Sequence, residues 1–416
     1  MKVLIVYALT GLGHLREATS VKHGLDKAGI ENEMLDMLAW AKKYSWYTRM
    51  AILPLRFGLW LHALTTRNVS LYNELEFQGS MKRIVLYLLR LIEVPIGLAL
   101  KRHLRKSDID VVVAVHPWGV GSIWTLGLGP KLKQLLINVV VDEIDQASAS
   151  FYAVPDVIKG PWHFVNSDAV KRLMINIGVA PEKIKIVGHT LDPYVLDKRD
   201  AIKKRVNDHL RNSKTLTLGM FIGGVGTKDE KERIKNVFYT LREQILAGLY
   251  NIKVIPGPHF QFAVELHKYL VQLGLAHQKN IEVYVNSNRH KVVATGHEWL
   301  VNDIDVLFAK TGELIFYVLG TGIPFIHFPP KGANEVQHII LMKKFSAIEE
   351  FDRIDNLHEF LQNRKYLIEL GDNAFNSNYK LDGAEEIAKF IKNYYFNQYK
   401  YITPIEGRES NLKFRT

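Results

Sequence analysis

The sequence predicts an α/β protein built from two doubly wound, parallel-sheet domains that face each other across a cleft. Three observations carry this expectation. At 416 residues the chain exceeds one compact core and suits two domains of about 200 residues each. A strand–glycine turn–helix unit opens the chain, and a second such unit opens near residue 215. Apolar strand-like runs then alternate with helical patterns through both halves, which is the layout of parallel sheets.

The first unit reads as a strand over 2–8, a turn at Gly11-Leu12-Gly13-His14 and a helix over 15–27. Lys2 ahead of an apolar run imitates a signal peptide. A glycine turn stands where the cleavage site would be, so the run reads as a buried strand. Further strand-like runs at 111–115, 136–141 and 185–187 complete the first half. The second unit is a strand over 215–222, the loop Gly223-Gly224-Val225-Gly226-Thr227 and a helix over 229–245. It is followed by runs at 253–255, 281–285, 306–309 and 324–328. Pro193 and the charged stretch 197–204 mark the boundary. The expected domains are therefore 1–192 and 215–385, with a linker at 193–214. An aromatic-rich helix and tail over 386–416 packs back on the protein.

Composition is that of a globular protein, with 47% hydrophobic and 23% charged residues. The chain has no cysteine, which excludes disulfides, zinc ribbons, iron–sulfur ligation and thiol catalysis. The longest apolar candidate, 84–100, is interrupted by Arg90, Glu93 and Pro95 and does not read as a membrane span. The net charge of +11 calls for an anionic partner. Residues 41–110 hold twelve Lys/Arg against five Asp/Glu, interleaved with large apolar residues that include Trp46 and Trp60. Apolar area beside cations, notably Lys101, Arg102, Arg105 and Lys106, suits docking on an anionic membrane surface. The plainer reading is a set of core helices with a solvated basic face. Nucleic acid is not the expected partner, since no helix-turn-helix, zinc-finger or RNP-type pattern occurs.

Three motifs carry chemistry. In the first loop, the glycines permit a tight turn, and Gly13-His14 places an imidazole at the C-terminal end of the first strand, where α/β sheets bind ligands. A neutral imidazole there can take a proton from a hydroxyl. No third glycine completes a dinucleotide fingerprint, and Asp36 only approaches the expected acidic position. In the second loop, Gly224, Gly226 and Thr227 suit a diphosphate, with Lys228 alongside. It is not a Walker A loop. Third, Lys310-Thr311-Gly312-Glu313 follows a strand, and 329–337 follows the next, so two successive strand ends border one nucleotide-sized crevice.

Together these features resemble the GT-B glycosyltransferases that use nucleotide sugars on lipid acceptors. The nearest in pattern are the monogalactosyldiacylglycerol synthases and processive diacylglycerol glucosyltransferases; the N-acetylglucosamine transferase of lipid II synthesis is more distant. The family's GxGH-x-x-A opening is similar to Gly11–His14, with Ala18 one position late. Its His-Pro pair is matched by His116-Pro117, its strand ending in Asp by Asp142, and a long Lys/Gly-containing run by residues 167–188. Its K-x-G turn is matched by Lys310-Thr311-Gly312 and its G-x-P by Gly322-Ile323-Pro324. One departure stands out: Val318 occupies the place of the acidic residue that holds the nucleotide ribose in the family.

The resemblance implies inverting transfer from a UDP-sugar to a lipid such as diacylglycerol, with no obligatory metal or other cofactor. It implies His14 or Asp142 as the base, Gly13, His116 and Trp118 on the acceptor side, and Gln337 near the donor sugar beside the residues above. It also implies a cytoplasmic protein, peripheral on the inner face of the membrane. Two rival readings are a UDP-sugar 2-epimerase-like enzyme and a non-catalytic, membrane-docked subunit that binds nucleotide sugar.

Overall fold

The computed structural model describes residues 1–9, 12–51, 94–115, 134–140, 144, 158, 160–223, 227–257, 260–330 and 333–400. Among the described residues, twelve strands form two six-stranded sheets, and every strand pairing in them is parallel. The first sheet contains β1 (Lys2–Tyr7), β2 (Glu31–Asp36), β3 (Val111–Ala114), β4 (Leu135–Val139), β5 (Trp162–Val165) and β6 (Ile184–Ile186). Its order is β2-β1-β3-β4-β5-β6. The second contains β7 (Leu216–Phe221), β8 (Tyr250–Ile255), β9 (Ile281–Val283), β10 (Val306–Lys310), β11 (Phe325–Phe328) and β12 (Glu349–Glu350). Its order is β12-β11-β10-β7-β8-β9.

The central strands explain the continuous apolar runs. Every residue of β7 is buried, as are Val3 to Tyr7 of β1, because helices cover both faces of a parallel sheet. Several strands carry no such run. The edge strand β2 reads Glu-Asn-Glu-Met-Leu-Asp, β5 has four residues and β12 only two. Pairing with a neighbour, rather than burial of a long apolar stretch, makes them strands.

Helix α1 (Gly13–Lys27) follows β1 and buries Leu15, Ala18, Val21 and Leu25. Arg16, Glu17 and Ser20 on the same helix are buried too. Gly24 permits a close helix crossing: a Cβ there would stand 2.7 Å from the carbonyl oxygen of Ala384, the second residue of the C-terminal helix Gly383–Lys400. That helix lies on the first half, with Phe390 edge-on to Trp162 and Phe164 at 5.0 and 4.9 Å between ring centres.

The stretch 193–214, expected as a linker, is helical over Pro193–Leu196 and Arg199–Asn212. Asp192 caps the first of these by accepting from the Tyr194 amide at 3.0 Å. In the second, Ile202, Val206 and Leu210 recur every fourth residue and are buried. Arg205 and His209 bind the buried Asp305 carboxylate at the start of β10, at 3.2 and 2.7 Å, which ties the helix to the second sheet. One apolar core runs from β1 through Leu191 to β7, β10 and β11, so the two halves share packed interior.

Candidate active-site cleft

In each sheet the chain reverses its direction of winding once. From β1 it passes to β2 on one side and later to β3 on the other, so the crevice of the first sheet opens between the C-terminal ends of β1 and β3. His14, the second residue of α1, spans that crevice: its Nδ1 lies 3.2 Å from the Val115 carbonyl just beyond β3. Donation of Nδ1–H to that carbonyl selects the tautomer in which Nε2 is the basic nitrogen. Asp36, at the end of β2, accepts from the Leu38 amide at 3.1 Å and caps the helix Met37–Tyr44.

The second crevice opens between β7 and β10, since the chain passes from β7 to β8 and returns on the far side at β10. Gly223 follows β7 and Lys310 ends β10. A Cβ on Gly223 would stand 2.7 Å from Lys310 Cε, so glycine lets the lysine stem cross the strand end. Two candidate donor-site side chains turn inward here. Lys310 Nζ pairs with Glu335 at 2.6 Å, and the buried Thr311 donates through Oγ1 to the Glu335 carbonyl at 3.0 Å. The Thr227 side chain is likewise engaged, in a capping box with Glu230 at the start of the helix Lys228–Thr240. Gly312 differs: an added Cβ there meets nothing within 4 Å among the described residues.

The two crevices touch. Glu313, next after Gly312, places Oε2 3.1 Å from where a Gly13 Cβ would be, and its other oxygen pairs with the buried Arg16 guanidinium. Above this contact the helix Arg289–Asn302 of the second half reaches β1. Arg289 Nη1 donates to the Leu9 carbonyl at 3.1 Å, and His290 Nε2 stands 3.5 Å from the Tyr7 hydroxyl. Burial, supported by the Asp36 charge, pushes the Tyr7 hydroxyl up to about 12, so it remains a proton donor.

Deeper between the halves is a cluster of polar groups. Asp192, 1% exposed, accepts from His23 of α1 at 3.0 Å and from His297 of the second half at 3.2 Å. Burial raises the Asp192 carboxyl, but the bonds from His23 and His297 outweigh it and hold the group well below the usual range. The bond to Asp192 raises His23, whereas burial lowers His297. Glu17 and His189 form a second buried pair at 2.9 Å, and the His189 ring stacks on Phe316 at 3.6 Å.

Of the residues singled out from sequence, the structure brings His14, Gly13, Lys310, Thr311, Gly312 and Glu313 to the facing strand ends. Gln337 is half-buried on the helix Ala333–Lys344. Val318 is buried within Leu314–Thr321. Gly224, Gly226, His116, Trp118, Asp142 and Trp60 lie outside the described residues. Among the surface candidates, Trp46 is 77% exposed and Arg102, Arg105 and Lys106 are exposed. Lys101 is a correction: it is 7% exposed, on the inward face of a helix over 94–106 with Leu100 and Leu104, and presents no ammonium to a surface. Among the described residues no helix is long and apolar enough to cross a membrane.

Sequence reading passed over Arg16, Glu17, His23, Asp192, Arg289, His290, His297 and Glu335. The one available signal is the spacing of Arg16, Ser20 and His23, a polar stripe beside the apolar face of the helix. Such a stripe ordinarily faces water.

No family model matches the chain, and no curated protein matches it. Solved structures do. A protein assigned provisionally as a UDP-N-acetylglucosamine 2-epimerase from Listeria monocytogenes aligns with a TM-score of 0.54 at 13% identity, covering 98% of this chain and 99% of its own. MurG of Acinetobacter baumannii aligns with a TM-score of 0.50 at 15% identity, covering 94% and 99%. At such identities the likeness is one of fold, and the fold is GT-B.

Proposed function

We propose that this chain is a glycosyltransferase that moves a sugar, with inversion, from a UDP-sugar to a hydroxyl of a lipid acceptor at a membrane surface. The observation that supports the reading is the pairing of the two crevices. A histidine with a defined basic nitrogen stands at one, the glycine turn at Gly312 stands at the other, and they meet at Gly13 and Glu313. In this reading 1–192 is the acceptor side and 215–385 the donor side. His14 Nε2 takes the acceptor proton, the acceptor oxygen bonds to the anomeric carbon, and the bond to the diphosphate breaks. Charge then grows on the departing UDP, where helix N-termini and backbone N–H groups at Gly224, Gly226 and Gly312 offset it. Thr227, Lys310 and Thr311 act by shaping these turns, because their side chains already serve protein partners. His116, Trp118 and Asp142 belong to the acceptor side, with Asp142 the second candidate base.

Thermal melting against a panel of nucleotides tests the donor half. UDP at about a hundred times its Kd stabilises by roughly 2.7 kcal/mol, and adenine and guanine diphosphates are expected to give less. Equal shifts for all of them would sink the UDP assignment. Radiolabelled transfer to diacylglycerol tests the chemistry; UDP binding without transfer to any lipid would favour a non-catalytic subunit.

Peripheral attachment to the inner face of the membrane makes its own prediction. Co-sedimentation with vesicles containing anionic lipid should fall as salt rises, with about 1 kcal/mol for each basic residue near the surface. Reversing Arg102, Arg105 and Lys106 together should weaken it, while Lys101 belongs outside the set. Binding that ignores both salt and charge reversal would leave only a solvated basic face.

A further inference from the structure

We propose that Arg289, a residue of the second half, is a positioning residue for His14 and acts across the cleft on the strand end that precedes it. This rests on the proposed reaction for its activity arm only. The guanidinium is rooted firmly. Arg289 opens its helix, and the preceding Asn288 caps that helix by accepting from the amides of His290 and Lys291 at 3.0 and 3.4 Å. From that base Nη1 donates to the Leu9 carbonyl at 3.1 Å. The next residue, His290, meets Tyr7, the last residue of β1. Burial lowers the Arg289 guanidinium, and the Asp36 carboxylate at the end of β2 supports its charge.

The other flank of the same segment is also held from the second half. Glu313 lies against Gly13 and pairs with Arg16, one turn into α1. The strand end before His14 and the helix start that carries it are therefore both gripped by the domain assigned to the donor. His14 donates across the first crevice to the Val115 carbonyl. Its placement follows from where Leu9 and Gly13 are held, and Arg289 holds Leu9 through the carbonyl, the group that a change of side chain at position 9 leaves intact. An arginine that merely joined the halves would affect stability alone. One that positions His14 must also change the environment of its imidazole.

The test uses the full chain carrying Arg289→Gln and Arg289→Lys. The His14 imidazole resonance is assigned by its loss in His14→Gln and followed by NMR through a pH titration. Arg289→Gln is expected to move that resonance and its midpoint. It should also lower kcat about a hundredfold, the scale of a displacement near 1 Å. KM for the UDP-sugar and the melting shift produced by UDP should stay at wild-type values. Arg289→Lys, which still donates to a carbonyl, should recover part of kcat and part of the resonance shift. Identical His14 titrations in wild type and Arg289→Gln would overturn the proposal, and so would equal losses of kcat and folded protein. If Arg289→Gln does not fold, the Arg289→Lys titration decides in the same way. If wild type transfers no sugar at all, the proposed reaction fails while the NMR arm still decides the role of Arg289.

Discussion

His14→Ala is expected to lower sugar transfer by about two to four orders of magnitude, the usual worth of a positioned general base. The melting shift produced by UDP should survive the substitution. The split follows from geometry. His14 sits at the crevice of the first sheet, and the turns assigned to the donor sit at the crevice of the second. The bond from Nδ1 to the Val115 carbonyl matters as much as the imidazole, because it directs Nε2 as the acceptor of a proton. His14→Gln keeps a hydrogen-bonding side chain near Val115 but supplies no base, so its transfer rate should fall with that of the alanine variant. Transfer measured with diacylglycerol and a UDP-sugar, at matched folded protein, decides. Undiminished transfer in His14→Ala would remove the histidine from the chemistry and leave Asp142 as the candidate.

The largest effect on stability is expected at Asp192. Asp192→Ala removes the acceptor for both His23 and His297, two hydrogen bonds to a charged group worth roughly 1.5–3 kcal/mol each. It also removes the cap of Pro193–Leu196, worth about 1 kcal/mol. A loss of about 4 kcal/mol or more in urea unfolding is expected from these terms, and a loss under about 1 kcal/mol would contradict them. The pH dependence has three parts. The Asp192 carboxyl is held below its ordinary value, so its contribution is full above about pH 4 and is lost as pH falls further. His23 is raised, so its contribution is full below about pH 6.5 and is lost as pH rises through its folded value. His297 is lowered by burial, so it opposes: its neutral form favours folding above about pH 6.5, and that support is lost on acidification. Calorimetry should therefore show His23→Gln losing more stability near pH 6 than near pH 8, and His297→Gln the reverse. The same ordering in both variants would contradict this assignment of charges.

Much of the cleft was legible in the sequence because its determinants are local. Glycines after a strand announce a tight turn, and a parallel sheet requires that turn to face the ligand side, so His14 and Gly312 were found by position alone. The fate of individual side chains was not legible. Thr227 reads as a ligand hydroxyl, yet Glu230 three residues on completes a capping box that engages it. That pattern was readable, and it was outweighed by the glycines beside it. Lys310 reads as part of the K-x-G turn at the donor crevice, but its partner Glu335 comes from the first turn of the helix after the next strand. Lys101 reads as part of a basic face, although helical periodicity places it inward with Leu100 and Leu104.

The sequence by itself determined two strand–turn–helix units, the parallel α/β class, and a histidine at the first strand end. Periodicity, glycine conformation and chain direction act over a few residues and leave their mark in order. Only the tertiary structure decided that the two crevices meet, that Arg289 reaches Leu9, and that Asp192 joins His23 to His297. Those contacts link residues a hundred or more positions apart in most cases, and a polar residue that will be buried against a distant partner has the same local signature as one facing water. Burial converts such a stripe from solvated surface into a set of obligatory hydrogen bonds, and it is the packing of the second half on α1 that makes the difference.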